Sequence, residues 1–91
     1  MLRITGIDSA EIIAQAALEP DNYPLQLQAA DCEMAQGDFE VAFLRLISAI
    51  KLAQGDNRKE IREHLIGLFA LVDPADPLLI RARQQLASAL F

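Results

Sequence analysis

Proline and glycine divide this sequence into five short segments, each about one helix long. The breaks fall at Pro20, Gly37, Gly55 and residues 73–77, which read Asp-Pro-Ala-Asp-Pro. Between them, apolar residues recur at spacings of three and four, the period of an amphipathic helix and not of a strand. Connections of about two to five residues force consecutive helices to run antiparallel. The sequence therefore predicts one all-α domain over residues 1–91, built from antiparallel hairpins.

Capping signals place the ends of the first helix. Asp8 and Glu11 have the spacing of a capping box, so we expect the helix to begin at Asp8 or Ser9 and to run to about Leu18. The other four helices pair as two hairpins, so this helix has no hairpin partner and forms half of a two-helix unit, which we call the half-unit.

The second and third helices form the first hairpin. Pro24 suits a first helical turn, and Gly37 suits the left-handed residue that ends a helix, so the second helix should run from Pro24 to about Gln36. Asp38 is expected to cap the third helix, whose broad apolar stripe extends to Ile50.

The fourth and fifth helices form the second hairpin. Asp56 or Asn57 is the expected cap of the fourth helix, and Asp76 followed by Pro77 is expected to start the fifth. The apolar face of the fourth helix is predicted to comprise Ile61, Leu65, Leu68, Phe69 and Val72. The fifth is predicted to bury Leu79, either Ala82 or Arg83, Leu86 and Leu90.

Charge and cysteine content exclude several classes of function. Residues 1–40 hold eight acidic residues against Arg3 alone, a net charge of −7, so a nucleic-acid partner is not expected. Cys32 is the only cysteine, which excludes a disulfide or a CxxC motif within the chain. No signal peptide or membrane span is evident, and we expect a cytoplasmic protein.

The second and third helices resemble a tetratricopeptide repeat. In such repeats small residues lie where two helices cross, a glycine makes the turn and a proline closes the unit. The residues that match are Ala30, Gly37, Phe39, Ala42, Leu46 and Ala49. Gln54 replaces the closing proline, but Pro20 lies one repeat length of about 34 residues earlier, which makes the first helix resemble the end of a preceding repeat.

The second half of the chain resembles the C-terminal tetratricopeptide-like domain of bacterial thioredoxin-like co-chaperone proteins. The resemblance rests on residues 62–69, the break at 73–78 and the closing Arg-rich helix at 81–91, which ends Leu-Ala-Ser-Ala-Leu-Phe. It implies that this chain is the C-terminal part of a longer protein, with a thioredoxin fold in cis. It also implies a role in binding unfolded clients or a larger chaperone.

No constellation for catalysis, cofactor or metal binding is apparent. His64 is the lone histidine and has no second ligand or nucleophile near it, so we interpret it as a structural or solvent-edge residue. Asp31 and Glu33 flank Cys32, and neighbouring carboxylates make a thiol less reactive. We therefore expect neither an enzyme nor a cofactor.

Two sets of residues are candidates for protein binding. Leu27, Asp31 and Met34 occupy the positions that line the inner face of tetratricopeptide domains, although Leu27 and Met34 would alternatively pack on the first helix. Leu90 and Phe91 would form a docking tip or, alternatively, fold back on the end of the fourth helix.

The leading functional hypothesis is the interaction domain of a thioredoxin-like co-chaperone or holdase. The alternative is a stand-alone scaffold or homo-oligomerisation module, for example a homodimer, that pairs through the exposed half-unit at the N-terminus.

Overall fold

A computed structural model describes residues 9–90, which form five α-helices and no strand. These helices are α1 (Ser9–Leu18), α2 (Tyr23–Ala35), α3 (Phe39–Leu52), α4 (Gly55–Phe69) and α5 (Pro77–Leu90). The all-α prediction is confirmed, and four of the predicted helix starts agree to within one residue. The expected capping role of Asp8 lies outside the described residues.

Helix α3 is the centre of the molecule, because α2, α4 and α5 all pack against it. Its buried face comprises Ala42, Phe43, Leu46, Ile47, Ala49 and Ile50. The ring of Phe43 meets that of Phe69 from α4 edge to face, with centroids 4.9 Å apart and an interplanar angle of 88°. Edge-to-face packing of this kind adds to the apolar burial of both rings.

The hairpin of α2 and α3 has the close crossing and the turn that the sequence indicated. Ala30 and Ala42 are both completely buried. Gly37 has φ of +85°, a conformation that side chains disfavour. The Gly37 amide donates to the Met34 carbonyl at 3.0 Å and the Asp38 amide to the Glu33 carbonyl at 2.8 Å, which is a Schellman motif.

Two of the expected caps differ from the structure. Asp38 is the N-cap of α3, but its side chain makes no capping hydrogen bond. Helix α4 begins at Gly55 after Gln54, earlier than a cap at Asp56 or Asn57 would allow, so that prediction was wrong. The Arg58 Nε donates to the Ile50 carbonyl at 3.1 Å and holds the first turn of α4 against the end of α3.

The second hairpin is more open than the first. Helix α5 starts as predicted, since the Asp76 side chain accepts from the Leu78 amide at 2.9 Å. Of the two alternatives for its buried face, Ala82 and not Arg83 is the buried residue. Val72 is buried although it lies beyond the end of α4. Helices α4 and α5 lie closer to α3 than to one another, which leaves a groove between them.

A buried polar network joins α1, α2 and α3. Gln26 of α2 donates through Nε2 to the carbonyls of Ala16 (2.8 Å) and Glu19 (2.9 Å) at the end of α1. Arg45 of α3 donates to Gln26 Oε1 at 3.0 Å and makes a two-pronged bond to Glu33, both contacts at 2.9 Å. The Glu33 side chain is only 3% exposed. This network adds a side-chain donor to two backbone carbonyls at and just after the end of α1 and fixes that helix to the rest of the domain.

We expect Arg45→Met to lower the free energy of unfolding by about 3–5 kcal/mol, because it leaves the Glu33 carboxylate buried without its cation. Urea unfolding followed by circular dichroism measures this. The double variant Glu33→Leu/Arg45→Met should lose less stability than Arg45→Met alone, since it leaves no buried charge. Additive losses in the double variant would contradict this account.

A hydrogen bond also joins α2 to α4 at the start of both helices. The Tyr23 hydroxyl donates to Glu60 Oε1 at 3.1 Å. This bond raises the pKa of Tyr23 above its ordinary value, with smaller contributions from desolvation and from the Glu60 charge. Because the folded pKa is raised, the stability that this contact contributes is present at neutral pH and is lost as pH rises through the pKa of Tyr23.

Replacing Glu60 by Gln should lower the pKa of Tyr23 toward its ordinary value, because a neutral amide oxygen accepts the hydrogen bond more weakly than a carboxylate and carries no charge. Tyr23 is the only tyrosine and the chain has no tryptophan, so phenolate absorbance reports this one group. Glu63→Gln, which changes an exposed carboxylate of the same helix, is the control and should leave the titration unchanged. An equal response to both substitutions would contradict the assignment.

Candidate protein-binding surfaces

The first candidate surface is an open groove between α2 and α4, of about 460 Å³. We call it the α2–α4 groove, and it is lined by Asp31, Met34, Ala35, Phe39, Leu68 and Leu71. Leu71 follows the end of α4 and is 69% exposed, so it presents apolar surface to solvent at the edge of the groove. Two of the predicted binding residues, Asp31 and Met34, therefore lie together here.

Asp31 has a partner on the facing helix. His64 Nε2 of α4 lies 2.8 Å from Asp31 Oδ1, and both side chains are partly open to solvent. The pair becomes an ion pair when His64 is protonated. His64 thus lies at the solvent edge, as the sequence indicated, and it holds α2 and α4 together beside the groove.

Leu27 and Met34 are half-buried and pack against the main apolar cluster. The buried residues of that cluster come from α2 to α5 and from Val72, with none from the described part of α1. Both side chains therefore contribute to packing, and the main cluster is the partner that the structure shows for them. The α2 side chain that reaches α1 is that of Gln26, through its hydrogen bond to the Ala16 carbonyl.

The second candidate surface lies between α4 and α5 and has a volume of about 540 Å³. We call it the α4–α5 groove, and its lining is apolar except for one charge: Ile66, Phe69, Ala70, Arg83, Leu86, Ala87 and Leu90. Leu90 packs against the apolar cluster and lies in the same groove as Phe69. Of the two alternatives for the C-terminus, Leu90 therefore follows the one in which the side chain packs back toward the end of α4. Phe91 lies outside the described residues.

A third apolar region lies over α1 and α3. A depression of about 380 Å³ there includes Val41, Leu44 and Leu52, which are all exposed large side chains. Leu18, at the end of α1, is 79% exposed. The surface formed here by α1 and α3 is consequently apolar and exposed to solvent.

Several groove residues were missing from the sequence-based candidates. Leu71 gave no clear signal, because Val72 lies even closer to the proline break and is buried. Arg83 had been weighed only as an alternative core position. Ile66 and Phe39 gave no signal, because their spacing is that of ordinary core residues.

The described residues hold little that could support chemistry. Between Ser9 and Leu90, no three His, Cys, Asp or Glu side chains lie close enough together to hold a metal ion. Cys32 is a free, half-buried thiol. None of the five helices is long and apolar enough to cross a bilayer. What this part of the chain offers is apolar groove surface.

Comparison with known proteins agrees with the repeat architecture. The chain is 39% identical over 71 residues to uncharacterized proteins of Mycobacterium bovis and of two strains of Mycobacterium tuberculosis. The alignment covers 78% of this chain but only 23% of those relatives, so the chain spans about a quarter of their length. No solved structure matches it significantly. The family model for the tetratricopeptide repeat matches residues 4–91, and the chain belongs to that family.

Proposed function

We propose that this chain is the protein-interaction domain of a thioredoxin-like co-chaperone or holdase. Membership of the tetratricopeptide repeat family supports protein binding as the general role. The finer assignment rests on the resemblance of roughly residues 9–91 to the C-terminal domain of such co-chaperones, which implies a thioredoxin fold in cis. The single cysteine favours a cytoplasmic location.

The observation that carries the proposal is the pair of preformed apolar grooves on either side of α4. Each groove exposes large apolar side chains, including Leu71 in one and Ile66 in the other. Exposed apolar grooves of a few hundred cubic ångströms are typical of surfaces that bury a partner's side chains. Burial of that kind is reversible and needs neither nucleotide nor a covalent step.

Each predicted binding residue has a different role in this proposal. Met34 supplies a flexible apolar contact in the α2–α4 groove, and Asp31 with His64 forms its polar edge. Leu90 belongs to the α4–α5 groove, and Leu27 packs against the main apolar cluster. Unfolded clients or a larger chaperone are the partners whose exposed apolar segments such grooves would accept.

Leu71→Ser should weaken client binding by about tenfold, because it removes an apolar side chain worth roughly 1.4 kcal/mol of burial at the groove edge. The measurement is light scattering from aggregating, chemically denatured citrate synthase, as a function of the concentration of this chain. Since Leu71 is exposed in the free domain, its thermal unfolding should hardly change.

Ile80→Ser is the matched control, since Ile80 is also an exposed aliphatic residue (49%) but lines neither groove. It should suppress aggregation as well as the parent chain does. The proposal fails if the parent chain neither slows aggregation nor binds a chaperone, or if both variants lose activity equally.

A scaffold or homo-oligomerisation module is the alternative that a specific observation favours. The exposed apolar side chains over α1 and α3 would be covered if two copies paired through this region. Sedimentation equilibrium should then show a dimer that Leu44→Glu converts to monomer. A monomeric mass at high protein concentration would exclude this alternative.

A further inference from the structure

We infer that the α4–α5 groove is the docking site for an acidic amphipathic helix of a partner protein, with an acidic side chain of that helix paired to Arg83. This inference rests on the proposed function and specifies the chemistry of the partner.

Arg83 gives the groove its charge preference. It is the only charged residue that lines the groove, and among residues 9–90 it has no hydrogen bond or ion pair. Arg81 is already engaged, since its Nη1 lies 3.3 Å from Glu40 Oε2. Helix α5 contains these two arginines and no acidic residue. An unpaired guanidinium beside an apolar surface is complementary to a carboxylate carried by an otherwise apolar segment.

The shape of the groove favours a helix as the occupant. The lining residues of α5 lie at positions 83, 86, 87 and 90, and those of α4 at 66, 69 and 70. The set on α5 forms one face over about two turns, or roughly 10 Å, and the set at the end of α4 spans about one turn. Two such ridges accept the i, i+3 or i+4, i+7 side chains of a third helix.

Three synthetic helical peptides test the charge preference. Each carries leucines at i, i+4 and i+7, and they differ only in one residue flanking that face, which is Glu, Gln or Lys. Fluorescence anisotropy with the full 91-residue chain should show the Glu peptide binding about fivefold more tightly than the Gln peptide, the upper range for an exposed ion pair. The Lys peptide should bind most weakly. Arg83→Glu should reverse the order of the Glu and Lys peptides.

A groove-filling variant tests the location. Ala87→Phe places a ring in the groove and should weaken all three peptides by at least tenfold. Ala17→Phe is the matched control, because Ala17 is likewise an exposed helical alanine but lines the depression between α1 and α3. It should leave the affinities unchanged.

Three results would overturn the inference. The first is binding of none of the peptides, and the second is an identical peptide preference in the parent chain and in Arg83→Glu. The third is a dimer in sedimentation equilibrium that Ala87→Phe abolishes, which would assign the groove to a second copy. Client holding is measured separately through Leu71, so loss of this charge preference with intact holding would refute the inference and leave the proposed function standing.

Discussion

The two-pronged contact between Arg45 and Glu33 is the interaction on which the arrangement of the first three helices depends. Arg45 also fixes the oxygen of the Gln26 amide, which leaves the amide nitrogen to donate to the end of α1. One guanidinium therefore sets the orientation of a side chain that donates to two backbone carbonyls, those of Ala16 in α1 and of Glu19 just after it. A domain of this size has a small apolar core, so a satisfied polar junction is a substantial part of its specificity.

The grooves follow from the central position of α3. Because α2, α4 and α5 all pack on this one helix, α4 and α5 need not pack closely on each other, and the space between them stays open. The edge-to-face contact of Phe43 with Phe69 fixes one wall of that space. Asp31 and His64 similarly hold the α2–α4 groove at its edge. The core that stabilises the fold thus shapes both candidate surfaces.

The sequence predicted the helices well and the contacts between them poorly. Gly37 and Pro77 have strong local conformational preferences, so the helix ends near them could be placed without tertiary information. The partnership of Gln26 with Arg45 could not be found, because 19 positions separate them and each residue alone has the character of a solvated side chain. The sequence placed Leu90 correctly on the apolar face of the fifth helix. It could not decide whether the side chain extends into solvent or packs near the end of α4, because that depends on the distance between α4 and α5.

The central claim is that this domain binds apolar protein segments through the grooves on either side of α4. Its most direct test is a ¹⁵N–¹H NMR titration of the 91-residue chain with a permanently unfolded client, such as reduced and carboxymethylated α-lactalbumin. Binding through the grooves predicts amide shift changes concentrated at residues 66–71 and 83–90. No shift changes, or changes confined to α1 and to the exposed face of α3 at Val41 and Leu44, would contradict the claim.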